Sequence, residues 1–299
     1  MTDVSNDTIL ALTEGIFLEF VRAEELPAEG MRTAVECWDI CGPFFVGILE
    51  HYAEDELDPT LDGDAPLFLV HLFGQMRETR AYRPLTKFLA RPIETLRAAL
   101  GDTIAETLPR ILTGVFDGDP DPLEGLFLNA DADEFIQWAA LSAYAGLVRL
   151  GRIEVGRAER VLLAASTTVL VPDSAAWIGW QRACAAIGTP ALIDHARARV
   201  AADDADTIDL NAAEFEQEIA AWATDPAAKL EDVLPLADAL AELSRWHGFS
   251  EAGVAERRKA DTLGGSIGHE TVVNAYRKVG RNDPCPFLLL YLNVILCYV

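Results

Sequence analysis

The sequence predicts an all-α protein: stacked helical hairpins of the HEAT or armadillo kind, an α-solenoid, ending in a short irregular tail. Three observations carry that expectation. Apolar residues recur at three- and four-residue spacing through most of the chain. Short turns rich in Gly, Pro and Asp separate these segments. No segment alternates apolar and polar residues over a strand's length between hairpin turns. The composition agrees, because 51% of the 299 residues are hydrophobic and strong helix formers dominate the rest.

The elements follow in order. Residues 8–21 place Ile9, Leu12, Ile16, Phe17 and Phe20 near helical spacing, and the Leu26–Gly30 stretch breaks the pattern. Residues 31–40 and 43–52 read as the next two helices, and the acidic stretch 58–64 as a turn. Residues 65–76, APLFLVHLFGQM, are apolar nearly all round, which predicts an inner helix. Pro84 to Leu89 is its short partner. Thr103-Ile-Ala-Glu106 reads as a capping box opening a helix that runs to Val115. In the turn Asp117 to Pro122, the proline suits the first turn of the following helix. Residues 133–150 carry a wide apolar face that includes Phe135 and Trp138, and Gly151 suits the position after the helix end. Further helices are expected over 154–170, 174–187, 190–201, 215–222, 230–246 and 252–261, with Gly264 to Gly268 as a hinge.

Units beginning near Ala65, Thr103, Phe135 and Ser174 are spaced by roughly 30 to 40 residues, the scale of helical-hairpin repeats. Such a pair cannot bury its apolar face alone, so stacking must supply the core. An irregular helical bundle is the alternative. The expected organisation is a helical-repeat domain over 1–225, additional helices over 226–262, and a linker with a tail over 263–299.

Charge narrows the function classes. There are 48 acidic against 24 basic side chains, a net charge of −24. That field repels nucleic-acid phosphates and anionic membrane surfaces, so neither is an expected partner, whereas a basic protein surface is favoured. The N-terminus lacks a basic region and an early apolar run, and the longest apolar run, thirteen residues at the C-terminus, is too short to span a bilayer. A soluble cytoplasmic protein is expected. Five cysteines, odd in number and scattered, do not form a secreted disulfide framework.

Several stretches bear on chemistry. His71, Gln75, Arg77, Glu78, Arg80 and Tyr82 form a polar island among apolar helices. Asp102 and Glu106 could approach it in a stacked repeat. Imidazole, carboxylate and guanidinium together can perform acid–base work where a pocket shifts their pKa values. The same groups can instead form a buried polar lock between repeats, and the lock is the favoured reading because no nucleophile, phosphate loop or complete metal set accompanies them. Cys37 and Cys41 share a helical face but have no matching ligand pair elsewhere, so they read as core residues. Asp117-Gly-Asp119-Pro-Asp121 begins like a calcium loop but places Pro122 and Leu128 where Gly and Glu are required. Gly264-Gly-Ser266-Ile-Gly268 has the letters of a nucleophile elbow without the strand that should precede it.

The stretches DGDAPLFLVHLFGQMRETRAYRPL (62–85), LGDTIAETLPRILTGVFDGDPDPL (100–123) and WAALSAYAGLVRLGRI (138–153) resemble a bacterial family catalogued as domain of unknown function 1186. The resemblance runs from Asp62 to about Ala201, and the helices before it fit more weakly. It implies a HEAT-like helical protein with no assigned reaction. Members of the family often end in a SEC-C tail, a small zinc-binding motif also found on the preprotein translocase motor. GRNDPCP (280–286) is similar to the start of that motif. The resemblance would make Cys285 the first zinc ligand and Cys297 one of the closing pair, but Phe287 and Leu296 occupy the other two positions. Two thiolates do not close a tetrahedral zinc site. The expectation is an interrupted motif with no bound cofactor, and a non-enzymatic scaffold that binds a protein partner.

Overall fold

A computed structural model describes residues 6–201, 209–250 and 252–255 of the chain. The chain divides into two compact units, the first being Met1–Trp246 and the second beginning at His247. In the first unit the described elements run α1 (Asn6–Val21), α2 (Ala28–Glu36), α3 (Trp38–Ala53), α4 (Ala65–Met76), α5 (Tyr82–Leu89), α6 (Ile93–Leu100), α7 (Thr103–Glu106) and α8 (Leu108–Val115). They continue with α9 (Asp121–Phe127), α10 (Glu134–Arg149), α11 (Val155–Thr168), α12 (Ala175–Ile187), α13 (Pro190–Val200), α14 (Ala212–Thr224), α15 (Pro226–Glu231) and α16 (Ala239–Leu243). Short 3-10 turns complete the set, and the described residues contain no strand. The fold is all-α. Of the second unit the described residues are the turn His247–Phe249, Ser250 and a helical turn over 252–255.

Local chemistry explains most helix boundaries. The Asp133 carboxylate accepts from the Phe135 amide, Glu154 from the amides of Gly156 and Arg157, Ser174 from Trp177, and Thr189 from Leu192. Each satisfies a donor that the first helical turn leaves unpaired. After α10 and α12 the chain reverses through Gly151 and Gly188, both at φ 71°, where a side chain would strain the backbone. In the turn before α9, Asp117 and Asp119 each accept from the amide two residues on, and Pro122 lies in the first turn of the helix.

Three expectations are corrected. The capping box at Thr103 and Glu106 does not form. Thr103 is the first residue of α7 rather than its cap, and its hydroxyl is buried without a partner. The capping box that does form joins Asn211 and Glu214 ahead of α14. Residues 230–246 are not one helix. Pro235 cannot continue the ladder, so α15 ends at Glu231 and the chain passes through a turn and a non-helical stretch until Asp238 caps α16. Pro43 does not open a helix but sits inside α3, which begins at Trp38.

The helices pack in an ordered succession. α4 lies on α8, α8 on α10, α10 on α12, and α12 on α14. Alongside, α3 lies on α5, α5 on α9, and α11 on α13. Helix α10 is central and largely buried, with Ile136, Ala139, Ala140, Leu141, Ala143, Tyr144 and Leu147 excluded from solvent. Small residues set the spacing. A Cβ on Gly114 would lie 2.6 Å from the Gly74 carbonyl oxygen, and one on Gly179 would lie 3.1 Å from Cα of Trp138. The α4–α8 and α10–α12 backbones therefore approach more closely than any side chain at those points permits.

One separation recurs in the polar contacts between these helices. Asp55 and Arg91, His71 and Thr107, Arg83 and Asp119, Arg97 and Asp133, Phe116 and Arg152, and Asp121 and Arg157 are each 36 residues apart and hydrogen-bonded. Arg91 and Arg152 play the same part. Each directs its guanidinium to backbone carbonyls at or just after the end of an earlier helix, Arg91 to Tyr52 and Arg152 to Thr113 and Phe116.

The segment after α15 returns across the first row of helices as a strap, residues 232–246. A Cβ on Gly146 of α10 would meet Val233 at 2.7 Å, and one on Gly74 of α4 would lie 3.4 Å from Leu236. Between them Arg110 of α8 donates to the Leu234 carbonyl at 3.1 Å and to the Glu242 carboxylate at 2.8 Å. The Gln75 side chain accepts from the Ala239 amide, capping α16 against α4.

Candidate functional site

The polar island divides into two separate locks. His71, on α4, is fully buried. Its Nδ1 lies 2.7 Å from the Leu67 carbonyl, which can only accept, so the proton is on Nδ1. Nε2 then accepts from the Thr107 hydroxyl at 2.9 Å. Trp246 of the strap closes over the ring edge-on at 5.4 Å. Burial lowers the imidazole pKa to about 4; the Leu67 carbonyl and Glu242 oppose that shift, and Arg110 reinforces it. The ring is a neutral, fully satisfied bridge between α4 and α8.

Glu78 forms the second lock. Its carboxylate caps the 3-10 turn Thr79–Ala81, accepts from the Arg80 guanidinium at 2.7 and 2.6 Å, and accepts from the Trp38 indole at 3.1 Å. The Arg80 guanidinium, ahead of the opposing burial, holds the carboxyl below its ordinary range, and the indole adds to this. The lock ties the turn after α4 to the start of α3.

The remaining members stand apart. Arg77 ends α4 in the left-handed region at φ 52° with an exposed side chain, and Asp102 and Glu106 are exposed at α7. Among the described residues no hydrogen bond or ion pair joins His71, Glu78, Asp102 and Glu106 to one another. These groups do not converge on one cavity. Sequence reasoning missed Thr107 and Trp38. Thr107 was legible in principle, since it sits one 36-residue step beyond His71.

Other constellations are equally structural. Glu124, buried in α9, accepts from Tyr144 at 2.8 Å and from both arms of Arg157 at 2.7 Å. Ser166 and His195 come within 2.8 Å, but the serine hydroxyl donates to the Leu163 carbonyl at 3.0 Å, and among the described residues no carboxylate orients the ring. A serine so bound is not an activated nucleophile. Cys37 lies at the α2–α3 junction, and Cys41 is buried in α3 with its thiol pushed up to about 11 by burial. Among the described residues no three His, Cys, Asp or Glu side chains are grouped to hold a metal. Cys285 and Cys297 lie outside the described residues.

An open groove runs along α10 and α12. Two cavities of about 230 and 310 Å³ meet at Trp138 and Arg182. The smaller is walled by Ala105, Phe135, Ala175 and Ile178 besides those two. The larger extends over Gly146 and Gly179 toward Trp222 and the Glu218–Lys229 ion pair.

Buried polar pairs holding successive helices in register define a helical protein whose interior groups serve packing. The chain belongs to the family described as a protein of unknown function, DUF1186, which matches residues 13–163. That span moves the boundary expected from sequence: the second half of α1 and all of α2 and α3 lie inside the family region, and 164–201 lie beyond it. An uncharacterized protein of Chlamydia muridarum is 30% identical over 138 residues, covering 45% of this chain and 55% of the relative. One from Chlamydia trachomatis serovar D is 30% identical over 131 residues, covering 43% and 51%. The chain thus spans about half the length of the curated relatives it matches. No solved structure matches it. Among the described residues no helix is long and apolar enough to cross a membrane.

Proposed function

We propose that this is a HEAT-like helical-repeat protein, an α-solenoid, that works by binding a protein partner and not by catalysis. The observation that carries the reading is the row α4–α8–α10–α12–α14, together with the 36-residue step at which polar contacts recur along it and among the helices beside it. Stacks of this kind present one face of each successive helix along a continuous surface suited to macromolecules. The locks at His71 and Glu78 support it, because their hydrogen-bonding capacity is spent between helices. The alternative, an enzyme using His71, Glu78 and Asp102, gains no support from their separation.

Crosslinking of the full-length chain in cells, followed by purification and mass spectrometry, tests the reading. A reproducible stoichiometric protein partner is expected. Recovery of no partner above a control bait, together with turnover of a small molecule, would overturn it.

The tail is read in the same spirit. GRNDPCP (280–286) descends from a SEC-C motif, and Cys285 with Cys297 supplies two of the four ligands such a motif needs. Zinc is therefore not expected to be stoichiometric in the purified chain, which elemental analysis checks.

A further inference from the structure

The strap and the groove lie along one row of helices, and the strap indicates what the groove takes. Gly74, Arg110, Gly146 and Arg182 follow one another at the 36-residue step, on α4, α8, α10 and α12. The strap occupies the first three positions. Leu236 sits at Gly74, the Leu234 carbonyl and Glu242 carboxylate on Arg110, and Val233 at Gly146. An acidic segment with apolar side chains thus already seats on this face, with its carboxylate on an arginine and its apolar groups beside glycines.

Arg182 is the next position and repeats Arg110 two steps on. It is exposed, and among the described residues no carboxylate pairs with it. Its counterpart two steps earlier, Arg110, holds the Glu242 carboxylate at 2.8 Å. Beside Arg182 the 230 Å³ cavity is walled by Phe135, Trp138 and Ile178, and among the described residues Arg182 is the charged one lining it. Phe135 is 41% exposed at the rim of this cavity. In the neighbouring cavity Glu218 is neutralised by Lys229 at 2.7 Å, and Asp232 is the other acid.

We propose that the α10–α12 groove docks a peptide segment of a partner protein in which an Asp or Glu lies beside a large apolar residue. The carboxylate takes Arg182 and the apolar side chain enters the cavity between Phe135, Trp138 and Ile178. The arrangement repeats on a partner what the strap does in cis at Arg110. A guanidinium fork and an aromatic wall are well matched to such a ligand. The net charge of −24 slows the approach of an acidic ligand, so selectivity comes from the close fit and not from steering. The proposal rests on the protein-binding reading above and names its site and ligand chemistry.

The test is selection of a random dodecapeptide phage library on the immobilised full-length chain. Each selected sequence is then synthesised with a fluorophore and titrated by anisotropy. The variants are Arg182→Glu, Trp138→Ala and, as a control, Arg77→Glu, which is exposed elsewhere. Circular dichroism melting of each variant separates misfolding from lost binding. The expected consensus pairs a carboxylate with a neighbouring aromatic or leucine. Arg182→Glu should weaken such peptides at least about tenfold, with Trp138→Ala comparable and Arg77→Glu unchanged. A basic consensus, peptides indifferent to Arg182→Glu, or no enrichment over the Arg182→Glu chain would overturn the site. A crosslinked partner that binds wild type and Arg182→Glu equally would leave the protein-binding reading standing and remove this groove from it.

Discussion

Acidification should weaken the lock at His71 by an amount set by its burial. The unfolded imidazole titrates at about 6.5, and burial lowers the folded value to about 4, so between those values the unfolded chain binds more protons. The contribution from this residue is complete above about pH 6.5 and is lost as pH falls toward 4. At 1.36 kcal/mol per pH unit the full loss is about 3 kcal/mol, and by pH 5 about 2 kcal/mol of it has gone. Other groups also respond to acid, so the comparison is between wild type and His71→Gln. Urea unfolding followed by circular dichroism at pH 7.5 and pH 5 should show the stability gap between the two chains shrinking by about 2 kcal/mol. A gap that stays constant to within about 0.5 kcal/mol would refute the reasoning, as would an imidazole NMR signal from His71 titrating near 6.5.

Four further perturbations probe the packing and the ion pairs. Gly114→Ala places a methyl 2.6 Å from the Gly74 carbonyl oxygen, where backbone must move, and should cost about 1–3 kcal/mol in thermal or urea unfolding. Gly125→Ala in α9 meets nothing within 4 Å and should be neutral or stabilising by up to about 1 kcal/mol. Arg157→Ala strands the buried Glu124 carboxylate beside Tyr144 and should cost on the order of 2–4 kcal/mol. Arg83→Ala, which removes an exposed pairing with Asp117 and Asp119, should leave the unfolding midpoint within error of wild type by the same assay.

Most helices were legible because their signals are local. The helix starts at Asp133 and Ser174, the Asp117–Pro122 turn and the glycine after α10 depend on signals within a few residues, and the structure places them as the sequence implies. Thr103 and Glu106 have the right letters for a capping box, but the tertiary environment buries Thr103 within α7 and the box is not made. Residues 230–246 show helical periodicity, yet Pro235 and the pull of Gly74, Arg110 and Gly146 lay them out as a strap. The polar island was visible as a cluster in sequence, but not its division into locks. Thr107 and Trp38 are 36 and 40 residues from the groups they hold.

By itself the sequence determined the helical class, the acidity and the family, since periodicity, charge and local motifs survive without knowledge of contacts. Only the tertiary structure decided which polar groups are sealed and which stay open. His71 and Arg182 are both polar residues on apolar helices. One is closed over by Thr107 and Trp246 while the other is left exposed beside an aromatic cavity, because burial is a property of what packs against a residue and not of the residue.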